Sequence, residues 1–243
     1  MQIGGNPLMC QCALAAALPH CCQCANVRRM GHHVITTAGL KGGIAKTSVA
    51  TNLAAWWSTA GQRVLLVDAD ANGSATKLYE RGERALLVEP STCVPIQHAA
   101  MAMAKPWDLV VVDTAGGSRD EQLSYAEGSD FVIAPCQPAA SSIEQVIDLA
   151  DVIKRSGKPF GVLLTMCDRR RQVDARKTRE VLERVGLPVL KSEITLLSAW
   201  PKAEAAGVAV RDARTDADRP DPGAAKAWEQ VAALATEINE RLG

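Results

Sequence analysis

From His33 onward, short apolar runs alternate with longer mixed stretches. The runs are His33–Thr37, Arg63–Asp68, Leu86–Val88, Leu109–Asp113, Phe131–Ala134 and Phe160–Thr165. They show little polar alternation, which predicts strands covered on both faces, as in a parallel sheet. The stretches between them predict helices over Thr47–Ala60, Gly73–Arg81, Ile96–Ala104, Asp120–Glu127, Ser141–Ser156, Gln172–Val185 and Ala224–Leu242. Strand and helix in regular alternation predict an α/β architecture, doubly wound, with a mostly parallel sheet and helices on both faces. One polar stretch, Thr215 to Gly223 (T-D-A-D-R-P-D-P-G), reads as a flexible loop before the last helix.

The connection after the first strand carries the chemistry. Leu40 to Ser48 reads L-K-G-G-I-A-K-T-S, between the β-branched run Val34-Ile35-Thr36-Thr37 and an apolar helical stretch, Val49 to Trp57. Strand, glycine-rich turn and helix is the setting a phosphate-binding loop needs. Gly42 and Gly43 allow a tight turn whose N–H groups point at phosphates. Lys46 is placed to reach the β- and γ-phosphates, and Thr47 to hold Mg²⁺ through its hydroxyl. The common spacing is G-x-x-x-x-G-K-[ST]; here the two glycines are adjacent, Ala45 stands for the last one, and Lys41 precedes the pair.

K-G-G-x-x-K-[ST]-[ST] resembles the deviant Walker A motif of the ParA/MinD ATPases, over Lys41, Gly42, Gly43, Ile44, Ala45, Lys46, Thr47 and Ser48. The resemblance runs from about Met30 to the C-terminus and implies a P-loop NTPase binding ATP and Mg²⁺. Lys41 matches the family's signature lysine, which reaches across an ATP-sandwich dimer to the partner's nucleotide. Lys46 matches its P-loop lysine.

Two further segments end predicted strands, where open parallel sheets bind ligands. Leu65 to Thr76, L-L-V-D-A-D-A-N-G-S-A-T, resembles the Walker A′ segment. By that resemblance Asp70 orients the attacking water and Asp68 supports the metal region. Ala71 and Asn72 replace the usual Pro-Gln. The plainer alternative makes the two aspartates a helix cap and a turn acid. Trp107 to Gly117, W-D-L-V-V-V-D-T-A-G-G, has the Walker B pattern, with Asp113 in the Mg²⁺ shell and Thr114 to Gly117 as a γ-phosphate switch. D-T-A-G-G is closer to the small plasmid-partition ParA proteins than to MinD-like chains. The catalytic set implied is therefore Lys41, Lys46 and Asp70, and the metal set Thr47, Asp68 and Asp113.

Ala134 to Ser142, A-P-C-Q-P-A-A-S-S, matches the family's P-x-x-P-x-x-x-S segment, with Ser141 or Ser142 expected as a helix N-cap. Thr165 to Asp168 lies where relatives contact the nucleotide base. Arg169 to Arg184 holds seven basic residues against three acids. Arg169, Arg170, Arg171, Arg176, Lys177 and Arg179 form the footprint of a phosphate-backbone contact; interleaved Asp174, Glu180 and Glu183 offer the alternative of a solvated, internally paired face. Ile194 to Gly207 resembles a further family segment, but Leu196 and Leu197 stand where arginines are usual.

The family's implied role is an ATP-dependent dimerising switch for plasmid or chromosome partitioning. It would bind nonspecific DNA in the ATP state and answer to a ParB-like DNA-bound adaptor. The alternative is a MinD-like or cargo-positioning ATPase scaffold that does not act on DNA. Lys+Arg and Asp+Glu balance at 27 each, so any such contact rests on a local patch. Glu229, Glu237 and Glu240 in the last helix argue against a basic membrane-seeking tail. A cytoplasmic protein is expected, on the nucleoid if it binds DNA.

Met1 to Met30 stands apart: it carries five of the eight cysteines (Cys10, Cys12, Cys21, Cys22 and Cys24) and no acid. Its spacing matches no common zinc module, and it reads as a disordered leader or as sequence upstream of the true start. The ATPase domain is expected over 31–243. Cys93, Cys136 and Cys167 are scattered and suit reduced thiols.

Overall fold

The computed structural model describes residues 33–243. The cysteine-rich leader lies outside the described residues. Seven strands form one sheet: β1 His33–Thr37, β2 Val64–Ala69, β3 Thr92–Pro95, β4 Leu109–Thr114, β5 Phe131–Cys136, β6 Phe160–Cys167 and β7 Val189–Thr195. Their order is β3-β2-β4-β1-β5-β6-β7, and every pair is parallel. Eight α-helices connect them: α1 Lys46–Thr59, α2 Ser74–Arg81, α3 Ile96–Ala102, α4 Arg119–Glu127, α5 Ala140–Ser156, α6 Gln172–Arg184, α7 Ala199–Ala206 and α8 Ala224–Leu242.

Helices cover both faces. On one, α1 packs with α2, α7 and α8 through Leu53, Trp57, Leu78, Ala203, Val231, Leu234 and Ile238. On the other, α5 and α6 contribute Val146, Leu149, Ile153 and Leu182. Helix α1 is enclosed on most sides, and its buried Thr51, Asn52 and Ser58 bond back to helix carbonyls; Trp57 is fully buried and its indole donates to Asn239 Oδ1 at 3.1 Å, fastening α1 to α8.

The third strand lies elsewhere than the apolar run Leu86–Val88 predicts. Leu86 and Leu87 are buried, but from a turn that inserts them into the core beside α1 and α2. The strand is the short, half-polar Thr92–Pro95 at the sheet edge. Ser91 fixes its start, accepting from Val64 N at 2.9 Å and donating to Gln62 O at 3.2 Å. Strand β7 and helix α7 have no counterpart among the predicted elements. At the opposite edge β7 reads V-L-K-S-E-I-T and buries only Leu190 and Ile194, so no apolar run marks it. Strand β5 runs on through Pro135. Its neighbour β1 stops pairing at Ile133, so the N–H that proline lacks has no partner strand to miss. The stretch Thr215 to Gly223 is a pinned turn: Thr215 N donates to Arg219 O at 2.7 Å, and buried Asp221 pairs with Lys202 at 2.8 Å.

Candidate nucleotide site

Strand order brings the three motifs together. Asp113 in β4 is in register with Thr37 of β1 on one side and Asp68 of β2 on the other. The loop 38–45 leaves the C-terminal end of β1 in the middle of the sheet, beside both carboxylates.

Two residues of this loop take left-handed backbone, Gly43 with φ 76° and Ala45 with φ 69°. Gly42 does not, so only one glycine of the pair is demanded by conformation. Ala45, where a glycine is common, carries strain of order 1 kcal/mol. Three side chains hold the loop's carbonyls. Thr165 Oγ1 donates to Ile44 O at 3.2 Å, Gln137 Nε2 to Gly43 O at 2.6 Å, and Lys46 Nζ to Lys41 O at 2.7 Å. The N–H groups of Gly42 to Lys46 donate to no group among the described residues. A Cβ on Gly42 or Gly43 would meet nothing within 4 Å. Carbonyls tied down, N–H groups free and open space in front make a cradle for an anion at the start of α1.

The two lysines differ. Lys46 is 7% exposed; burial lowers its pKa, while Asp113 and Asp70 pull it back up. Lys41 is exposed, and its amine makes no hydrogen bond or ion pair among the described residues.

Asp113 is fully buried. Its Oδ1 accepts from Thr37 Oγ1 at 3.3 Å, and its Oδ2 has no partner. Burial pushes its pKa up to about 7; neighbouring Asp68 adds to this, and the Thr47 hydroxyl, Lys46 and Thr37 oppose it. A buried carboxylate oxygen left without a partner, beside a hydroxyl and a second carboxylate, fits a hard cation that prefers oxygen. Thr47, Asp113 and Asp68 would hold Mg²⁺.

Asp68 and Asp70 also do the backbone work of the plainer alternative. Asp68 accepts from Asp70 N at 3.1 Å and from Thr76 N, in the first turn of α2, at 2.7 Å. Asp70 accepts from Asn72 N at 2.8 Å. Both uses shape the loop that presents Asp70 at the P-loop. The switch lies against the same loop: Thr114 Oγ1 donates to Thr37 O at 2.7 Å, and a Cβ on Gly116 would fall 2.7 Å from the Lys41 carbonyl carbon.

The basic segment follows β6, and part of its charge is spent within the chain. Arg171 pairs with Asp174 at 2.8 Å, Arg176 with Glu180 at 3.8 Å and Arg179 with Glu193 at 3.8 Å. Arg169, Arg170 and Lys177 are exposed and form no ion pair among the described residues. A groove of about 730 Å³ beside edge strand β7 is lined by Arg169, Arg176, Arg179 and Lys226 together with Asp168 and Glu193.

Other expectations change. Neither Ser141 nor Ser142 caps α5; the N-cap is Ala139, without a side-chain bond, because the helix begins early enough to place both serines in its first turn. Gln137, which pins the P-loop, sits inside a segment singled out for other reasons, and nothing local marks it. The three described cysteines are buried, and burial pushes each thiol up to about 12, as inert reduced thiols require.

Residues 35–210 match the family model of the CobQ/CobB/MinD/ParA nucleotide binding domain. The chain belongs to this family. It is 32% identical over 182 residues to the maintenance of carboxysome distribution protein A of Gloeobacter kilaueensis, covering 73% of this chain and 83% of that one. To the chromosome-partitioning ATPase Soj of Thermus thermophilus it is 30% identical over 217 residues, covering 72% and 85%. The fold matches the septum site-determining protein MinD of Pyrococcus horikoshii, solved with Mg-ADP, with TM-score 0.63 at 16% identity over 87% of this chain and 99% of that one. The protein is a ParA/MinD-type ATPase, with ATP and Mg²⁺ as its ligands.

Proposed function

We propose that this ATPase is a dimerising switch that distributes a large cargo along DNA. The observation that carries this reading is the contrast between the lysines. Lys46 is buried at its own P-loop, while Lys41 projects a free amine from the same loop. An unspent cation at the rim of a phosphate site is available to a nucleotide held by a second copy of the chain.

In this reading, Lys46 and the N–H groups of Gly42 to Lys46 hold the phosphates, and the partner's Lys41 closes over them. Asp70 orients a water toward the γ-phosphorus, so that the bond to the leaving ADP breaks. Bound Mg²⁺ offsets charge on the phosphate oxygens. Hydrolysis removes the group that joins the two copies, and the switch resets.

DNA contact in the ATP state would fall to Arg169, Arg170, Arg171, Arg176, Lys177 and Arg179, doubled by dimerisation, with a ParB-like DNA-bound adaptor triggering hydrolysis. The protein would then be cytoplasmic and nucleoid-associated. No helix among the described residues is long and apolar enough to cross a membrane. A second reading, a cargo-positioning scaffold that does not act on DNA, draws on the ion pairs that already occupy Arg171, Arg176 and Arg179.

Light scattering tests the switch. With ATP the mass should double, and with ADP or no nucleotide it should not. Asp70→Ala should slow turnover and accumulate the ATP dimer. An unchanged mass in all three conditions would remove the dimer from the mechanism, and wild-type turnover in Asp70→Ala would move the water-positioning role elsewhere.

A further inference from the structure

Helix α4 is short and mostly solvent-facing, and it buries only Gln122 and Ala126. That the more deeply docked long side chain is a glutamine, 1% exposed, calls for a reason, since a buried amide must have its polar ends satisfied. Both ends are. Gln122 Oε1 accepts from Gly39 N at 3.0 Å, and Nε2 donates to Ala115 O at 3.2 Å. A backbone N–H on one side and a carbonyl on the other fix which way the amide points.

These partners belong to two separate segments of the site. Gly39 leads into the P-loop, and Ala115 lies in the switch. The surroundings are built for the approach: a Cβ on Gly117 would stand 3.2 Å from Gln122 Nε2 and 2.7 Å from Glu121 Oε2. The first turn of α4 is held by a capping box, with Ser118 N donating to Glu121 Oε2 at 2.8 Å and Glu121 N to Ser118 Oγ at 3.3 Å, so the base of the strut is firm. Beside it, Gly116 rests directly on the Lys41–Gly42 backbone.

We propose that Gln122 is a positioning residue for ATP hydrolysis: its amide spans the P-loop entry and the switch, and holds the switch backbone in register with the phosphate-binding loop. It touches no reacting atom, so it acts on the rate through the switch and not on nucleotide affinity. The inference rests on the ATPase assignment.

Gln122→Glu separates the two arms. The carboxylate still accepts from Gly39 N but cannot donate to Ala115 O, so the switch arm alone is lost. In the full-length protein, the kcat for ATP should fall roughly tenfold, the rate equivalent of one hydrogen bond. The KM should stay within about twofold, while melting should fall, because a carboxylate replaces a buried amide and faces the Ala115 carbonyl oxygen. Gly116→Ala, which forces the switch off the P-loop from the other contact, should give the same split and carries the test if Gln122→Glu does not fold. The proposal is overturned if folded Gln122→Glu keeps wild-type kcat, or if kcat falls only together with a matching rise in KM. Wild-type protein without ATPase activity would instead overturn the underlying assignment.

Discussion

Two charged regions of this molecule look alike in sequence and differ in kind. In the P-loop region Lys46, Asp68 and Asp113 are buried, and one is left incomplete: Asp113 keeps a carboxylate oxygen without a partner, and its pKa is pushed up to about 7 by burial. After β6 the charges are exposed, and half of the candidate DNA residues are neutralised by acids of the same chain. Burying charge without full compensation is costly, so the first region is intelligible only with a ligand. Exposed charges satisfied by their neighbours cost little and are intelligible without one. The nucleotide site is thus written into the energetics of the fold, while a DNA interface would rest on the exposed Arg169, Arg170 and Lys177, joined by the other arginines only if ion pairs that are weak to begin with rearrange.

The sharpest test of the contrast is at the lysines. Lys46→Gln should abolish nucleotide binding, because it removes the only buried cation between Asp113 and the cradle, among the described residues. Lys41→Gln should leave binding of ATP by the monomer within a few-fold of wild type, as an exposed amine contributes little there, yet remove hydrolysis and weaken the dimer. Titration of a fluorescent ATP analogue, beside phosphate release and light scattering, reads all three. If Lys41→Gln lost binding as completely as Lys46→Gln, the buried and exposed lysines would not have divided roles.

The parts legible in the sequence are those where one local signal suffices. The buried strands β2, β4, β5 and β6 are near-continuous apolar runs, and α8 falls between Gly223 and the chain end as its pattern predicts. The glycine pair, the two lysines and the aspartates at strand ends mark the site from sequence alone. What escaped is what tertiary contact decides. Leu86 and Leu87 are as apolar as a strand but pack from a turn. Strand β7 carries the polar run Lys191-Ser192-Glu193 and buries only Leu190 and Ile194, so its sequence looks like a loop. Gln122 and Gln137 act on backbone atoms 83 and 94 residues away, and a lone glutamine carries no local sign of such a partner.

A smaller effect is expected from the basic segment. Replacing Arg169, Arg170 and Arg171 by Ala in the ATP-trapped Asp70→Ala protein should weaken binding to duplex DNA equally on all sequences. Each lost phosphate contact should lower the slope of log affinity against log salt by about one. Because Arg171 is held by Asp174 at 2.8 Å and the other two arginines have no ion pair, most of the change should come from Arg169 and Arg170. Should the ATP-trapped form ignore DNA even at low salt, the internally paired face is the right description and the cargo-scaffold reading prevails.

The smallest effect concerns a charge that is satisfied so fully that it only holds structure, and it shows what the far edge of the sheet looks like when no ligand is needed. Glu237 of α8 accepts from Lys191 N at 2.8 Å and Ser192 N at 2.9 Å, covering the edge of β7, and pairs with Arg241 at 3.0 Å. Burial works to raise its pKa, but these bonds outweigh it and leave the pKa below the ordinary glutamate value. A depressed folded-state pKa means that the carboxylate's contribution is fully present above the unfolded value of about 4.3 and is lost as pH falls through the folded one. Glu237→Gln keeps one acceptor, faces the second N–H with its own N–H₂ and should cost about 2 kcal/mol at pH 7. For a chain of this size that is a drop in Tm of roughly 4–8 °C. The gap between variant and wild type should narrow as the pH is lowered through 4, while ATP turnover at pH 7 and moderate temperature stays near wild type. A gap that stayed constant with pH would mean that Glu237 contributes by packing and not by charge, and that this edge is held by the apolar face of α8 alone.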